Sequence, residues 1–335
     1  MPITIKDIAK AAGVSYVTVS RALRDHDAIN IDTRRRIKKI AEEMHYTPNA
    51  IARGLVQNKT KMIALLVQDI TNPFYPEVAL GVEECARKNG YCVLLCNSGY
   101  SNETEAEYLK ALSERRVDGI IISPLSERTQ ETISANGVYG KNCPVVNICN
   151  KINDDSASFV VIDDFKATYI ATEYLVKQGH EQITFIGGDI KSISQINNIR
   201  GYEQVMNEHG LEINVENVMG SSLKRESSHK VILELIRGRR LPTAIITDAD
   251  IIAIGIMEAL KTHGYEVPGD VSVIGIDDIE YASLPHINLT TVAQPKFDIG
   301  YIAAEILLNL IQGVECDRQV ILEPFLIVRG TCKHR

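Results

Sequence analysis

The sequence predicts an α/β protein: a three-helix head, then a body of two doubly wound parallel sheets. Three observations carry that expectation. Apolar residues recur at helical spacing through the first 45 positions, broken by a glycine turn. From Lys61 onward, short apolar runs alternate with helical stretches in two successive series, the pattern of parallel sheets joined by right-handed crossovers. Charge is also divided. The 335-residue chain carries a formal −7, yet residues 1–60 hold 11 Lys/Arg against 6 Asp/Glu, which leaves the remainder at −12. A basic head on an acidic body expects the head alone to meet a polyanion.

In the head, Ile5, Ile8, Ala9 and Ala12 form one apolar stripe, and Thr4 with Asp7 supplies a capping pair. Gly13 breaks the run, and Ser15 caps a second helix through Leu23. On that helix Val19, Ala22 and Leu23 share one face. Val17, Arg21 and Arg24 point the other way, with Ser20 at the flank. A third helix follows Asp32, with Ile37, Ile40, Ala41 and Met44 inward and Arg34, Arg35, Arg36, Lys38 and Lys39 outward. Two short helices joined at a glycine turn, with a supporting third, read as a helix-turn-helix whose second helix enters the major groove. Spacing and charge alone also admit a plain helical bundle with a solvated basic face.

The run Ile5-Lys6-Asp7-Ile8-Ala9-Lys10-Ala11-Ala12-Gly13-Val14-Ser15, followed by Thr18-Val19-Ser20-Arg21, closely resembles the head of the lactose/galactose repressor family. Tyr46-Thr47-Pro48-Asn49-Ala50-Ile51-Ala52-Arg53-Gly54-Leu55 is similar to its hinge. The resemblance implies a head over 1–47, a hinge helix and linker over 48–60, and a body over 61–335. It implies that Ser15, Tyr16, Val17, Thr18, Ser20 and Arg21 meet DNA in the major groove. Asn49, Ala52 and Leu55 would meet the minor groove, where paired hinge helices of a homodimer drive Leu55 into the central base step. Residues 49–56 offer only about two helical turns, and Gly54 weakens them further, so the hinge needs a partner or DNA to form. The alternative is a plain linker with Leu55 tucked into the body.

The first body series predicts strands at Met62–Val67, Tyr91–Cys96, Gly119–Ser123, Val145–Ile148 and Phe159–Ile162, with helices at Val78–Asn89 and Thr104–Arg115. The second predicts helices at Ala167–Gln178, Asn198–Glu208, Arg225–Arg237 and Ile251–His263, with strands at Ile183–Gly187, Ala244–Thr247 and Ser272–Ile276. Two such sheets side by side resemble the periplasmic sugar-binding fold, the body of the same family. Asp69-Ile70-Thr71-Asn72-Pro73-Phe74-Tyr75, Gly275-Ile276-Asp277-Asp278 and Leu289-Thr290-Thr291 are similar to its motifs. The resemblance implies crossings near Val292 and Glu323. Subdomain one would then hold about 61–161 and 292–322, and subdomain two 162–291 and 323–335. A ligand would lie between them, at the carboxyl ends of the strands.

Asp277 matches a pocket aspartate of the family, and Phe74 and Tyr75 fall where first-loop contacts occur. A structural cap for Asp277 and hinge-side packing for the aromatics stay open. Asn198 stands where relatives often place an arginine, Cys149-Asn150 replaces an Asp-Arg, and Ser222 replaces an aromatic. Losing a bidentate guanidinium puts an ordinary sugar in doubt. The effector-site expectation is therefore Phe74, Tyr75, Asn198, Ser222 and Asp277.

Seven irregularly spaced cysteines give no disulfide framework, and no Cys-x-x-Cys or His-Glu-x-x-His pattern occurs. No nucleophile elbow or Walker loop supports an enzyme. His180, after Gly179, reads as a helix-end cap. No apolar run reaches membrane-spanning length, and the N-terminus lacks a secretory pattern, so a cytoplasmic protein is expected. The expectation is a dimeric, possibly tetrameric, repressor. It binds a pseudo-palindromic double-stranded operator, takes a small, sugar-like effector and needs no cofactor or metal. A global regulator with a protein corepressor and a periplasmic-type ligand-binding protein are the alternatives.

Overall fold

The computed structural model describes residues 3–46, 59–125, 129, 143–149, 156–187, 193–213, 218–220 and 225–335. The chain divides into two units, 1–60 and 61–335.

The first unit holds α1 (Ile5–Ala12), α2 (Tyr16–Ala22) and α3 (Ile31–Glu43). The Asp7 carboxylate accepts from the Thr4 amide at 2.8 Å and from its hydroxyl at 2.7 Å. Gly13 ends α1 with φ 64°, a left-handed turn that a side chain would strain. Ser15 Oγ accepts from the Thr18 amide at 3.1 Å and opens α2. Ile8, Ala9, Ala12, Val19, Ala22, Ile37 and Ala41 bury together as a small core. The basic outer face of α3 departs from expectation. Arg34 is tied inward, donating to the His26 carbonyl at 2.9 Å, and Lys38 pairs with Asp25 at 2.6 Å. Both cations hold the turn after α2 instead of standing free.

The body contains two six-stranded sheets. The first runs in the order β11-β5-β4-β3-β1-β2, from β1 (Met62–Val67), β2 (Cys92–Asn97), β3 (Gly119–Ile122), β4 (Val145–Ile148), β5 (Ser158–Ile162) and β11 (Gln319–Leu322). The second runs β12-β10-β9-β8-β6-β7, from β6 (Ile183–Gly187), β7 (Val218–Gly220), β8 (Ala244–Thr247), β9 (Ser272–Asp277), β10 (Thr290–Ala293) and β12 (Phe325–Ile327). Every pairing is parallel except β10 with β12. The two orders repeat one plan. Buried strands such as β1 and β3 read as unbroken apolar runs because helices cover both faces.

The body helices are α4 (Phe74–Lys88), α5 (Asn102–Glu114), α6 (Asp164–Lys177), α7 (Ile193–Glu208), α8 (Arg225–Arg237), α9 (Asp250–Thr262) and α10 (Lys296–Gln312). Helix α10 packs against α4 over the first sheet, and α6 against α7 over the second. The first two crossings between sheets fall a residue or two later than the sequence places them. Ile162 still belongs to the first sheet, and Val292 and Ala293 still pair with Ile276 and Asp277 in the second. His180 does close the end of α6, its amide donating to the Leu175 carbonyl at 3.1 Å, and its side chain does more. Its ring is buried, with Nδ1 2.9 Å from Thr243 Oγ1 and Nε2 3.2 Å from the Lys333 carbonyl, pinning the C-terminal segment to β8.

Candidate nucleic-acid interface and effector site

Helix α2 buries Val19 and Ala22 and turns its other side to solvent. Tyr16 is 58% exposed and Val17 41%, unusual for large apolar side chains with no described neighbour to cover them. Arg21 is exposed on the same helix, and among the described residues no acceptor holds its guanidinium. The other residues expected to meet DNA have local work. Ser15 Oγ lies 2.9 Å from Thr18 Oγ1 within the cap. Ser20 is gripped by Arg24, whose Nε donates to the Ser20 carbonyl at 3.0 Å and Nη2 to its hydroxyl at 2.9 Å. Asn49, Ala52 and Leu55 lie outside the described residues.

In the body, strand ends from both sheets converge. Tyr100 follows β2, Ser123 follows β3, Cys149 follows β4, Asp164 follows β5, Asp248 follows β8, and Asp277 ends β9. Three of them hold positive φ: Tyr100 at 61°, Cys149 at 68° and Asp277 at 123°. Non-glycine residues adopt that region at a cost, and such strain gathers at binding sites. The Tyr75 hydroxyl lies 3.1 Å from Ser123 Oγ, and Phe74 packs edge-on against the Tyr75 ring at 5.2 Å.

The electrostatics show how near these groups are. Burial raises the Tyr75 hydroxyl well above its ordinary range, with Cys149, Tyr100 and Asp277 adding to the rise. Burial pushes the Cys149 thiol up to about 12, with Asp277 and Asp164 contributing. That thiol is protonated at neutral pH, so it is no nucleophile. Asp164 is pushed up to about 7, first by burial and then by Asp163 and Asp248, with a Ser194 hydrogen bond opposing. Burial also raises Asp277, and Asp250 beside it adds to the rise. Asp277 Oδ1 accepts from Gln294 Nε2 at 2.7 Å. Its partner Asp250 accepts from the Thr291 hydroxyl at 2.6 Å and the Ile279 amide at 2.9 Å. The arrangement offers phenol, thiol and carboxyl groups to a polar ligand and presents no activated nucleophile.

Of the residues expected in this site, the structure brings Tyr75 and Asp277 together. Phe74 lies behind Tyr75 as packing. Asn198 is buried between α6 and α7, its Oδ1 accepting from the Thr168 hydroxyl at 2.7 Å. Ser222 lies outside the described residues. Tyr100 and Asp164 went unnoticed in the sequence. Their place just past strand ends was the available signal.

Comparison with known proteins fits both units. Residues 4–49 match the model for bacterial regulatory proteins of the lacI family. Residues 60–329 match periplasmic binding proteins and the sugar binding domain of the LacI family. The HTH-type transcriptional regulator RegA of Clostridium saccharobutylicum is 36% identical over 331 residues, covering 98% of this chain and 99% of that protein. The HTH-type transcriptional repressor PurR of Vibrio campbellii is 34% identical, covering 98% of each. Among solved structures, the lac repressor dimer bound to operator and the anti-inducer ONPF matches with a TM-score of 0.85 at 25% identity, covering 99% of this chain and 100% of that one. The transcriptional regulator CelR–cellobiose complex matches with a TM-score of 0.74 at 25% identity, covering 98% of this chain and 99% of that one. The chain is a DNA-binding transcription regulator rather than an enzyme, and it belongs to the LacI family.

Proposed function

We propose that the protein represses transcription from a pseudo-palindromic operator as a homodimer, gated by a small polar effector held between the two body sheets. The exposed row Tyr16, Val17 and Arg21 on α2 carries the DNA half of this reading. An apolar side chain suits a thymine methyl, and an unengaged arginine pairs bidentately with guanine. One head spans too few base pairs to find a site among genomic competitors, so two heads must act together. In this reading Asn49, Ala52 and Leu55 form the minor-groove hinge, and Leu55 wedges and bends the duplex.

The effector half rests on the convergence of Tyr75, Tyr100, Cys149, Asp164 and Asp277 at strand ends from both sheets. A ligand shifts DNA affinity only as far as it binds the two body arrangements unequally. Selecting bound duplexes from a randomised pool with the full chain tests the first half. The expected product is an inverted repeat holding two protomers, and an asymmetric site holding one protomer overturns it. Thermal shift of the full chain against cellobiose, ribose, nucleosides and phosphorylated metabolites tests the second, because a ligand that binds only the folded state raises its stability. No response to any of them favours a protein corepressor.

A further inference from the structure

Lys296 opens α10 and is only 5% exposed. A buried ammonium is tolerated only when its three donors are met. Its Nζ donates to the carbonyl oxygens of Asp277 and Asp278, both at 2.7 Å, and faces Glu77 Oε2 at 3.6 Å. The backbone of Lys296 belongs to the layer over the first sheet, while the two carbonyls close β9 of the second. Glu77 sits on α4, next to Phe74 and Tyr75 in sequence. One charge therefore touches both walls of the site.

The local chain fixes this placement. Pro295 has φ −75° and ψ 71°, and the Lys296 amide donates to the Gln294 carbonyl at 2.8 Å, an inverse γ-turn that aims the side chain back toward β9. The turn it meets is strained, with Asp277 at φ 123° and Asp278 at φ 53°. Two carbonyls converging on one ammonium are a device for holding such a turn. A compact point charge suits that geometry, and a planar guanidinium does not.

We propose that Lys296 is a positioning residue for the effector site: it holds the Asp277–Asp278 turn so that the Asp277 carboxylate faces Tyr75, Tyr100 and Cys149, and through Glu77 it couples that turn to α4. This rests on the reading of that region as the effector site. A ligand drawing on Asp277 then pulls α4 with it, so the two walls move as one.

Hydrogen exchange of the full chain without ligand tests the coupling. Glu77→Gln alters only the first wall, yet exchange across residues 275–280 should speed up threefold or more while β8 stays within twofold. Lys296→Met should speed both 275–280 and 74–79 tenfold or more, and the double variant should be no faster than Lys296→Met alone. Lys296→Arg should restore 74–79, by keeping the charge near Glu77, better than 275–280. If Lys296→Met does not fold, Glu77→Gln and Lys296→Arg carry the test. Exchange at 275–280 unchanged within twofold in Glu77→Gln, or independent effects in the double variant, overturns the proposal. Failure of the effector reading shows separately, as silence in the thermal-shift screen.

Discussion

Gly81 on α4 and Gly300 on α10 meet where the two helices cross so closely that neither position has room for a side chain. A Cβ on Gly81 would lie 2.1 Å from the Phe297 carbonyl oxygen, and one on Gly300 would lie 2.0 Å from that of Val78. The second subdomain repeats the device, since a Cβ on Gly201 of α7 would lie 2.2 Å from the Phe165 carbonyl oxygen on α6. Backbone cannot yield as a flexible side chain can. Gly300→Ala should therefore cost about 1–3 kcal/mol by overpacking. Adding Gly81→Ala should cost less than a second full increment, because one separation of the helices relieves both overlaps. Urea unfolding measures this, and an unchanged midpoint in Gly300→Ala would show that the helices already stand apart.

Arg21→Ala should weaken binding to the selected operator by about 1–3 kcal/mol and relax preference at one symmetric base pair. The comparison is a titration on cognate and random duplexes at one salt concentration. Equal weakening on both would make Arg21 a phosphate contact.

Asp277→Asn keeps the volume but replaces the carboxyl group with an amide. It should abolish the response to an effector found by thermal shift. Operator affinity without ligand should stay within about tenfold, or about 1.4 kcal/mol. A variant that keeps the full wild-type response would remove Asp277 from the site.

The acidic site also makes stability depend on pH. The Asp164 carboxyl, pushed up from 3.8 to about 7, binds its proton more tightly in the folded protein than in the unfolded chain. Its contribution therefore falls as pH rises from about 4 to about 7 and is lost above that. Asp164→Asn removes this slope. The melting temperature of wild type relative to the variant should decline across that window, and a constant difference would refute the assignment.

Much of the fold was legible in the sequence because its strands are short, apolar and bounded by turns. Met62–Val67 and Ile183–Gly187 fall where the pattern puts them. Helix starts were harder. Helix α4 begins at Phe74, four residues before the apolar stripe suggests, because Asn72 Oδ1 caps the Phe74 amide at 3.0 Å and Pro76 is harmless in a first turn. Helix α10 escaped notice because it is apolar on most sides. Ile299, Ala303, Ala304, Ile306, Leu307 and Leu308 are all buried, which erases the amphipathic period. The candidate site was legible only where a family motif marks it, as at Asp277. Tyr100 becomes a site residue through a left-handed turn after β2, which leaves no periodic trace.

Strands β11 and β12 are separated only by Glu323 and Pro324, and each completes a different sheet. The order of synthesis follows from this. The ribosome has made residues 3–46, with their own buried core, long before either body sheet can close. The first sheet is finished only when the chain reaches residue 322 and the second only at residue 327, and a frameshift just before Gln319 would leave both with a bare edge, open to pairing with other chains. The two sheets of the body thus close within five residues of each other, and the helix-turn-helix head is folded well ahead of both.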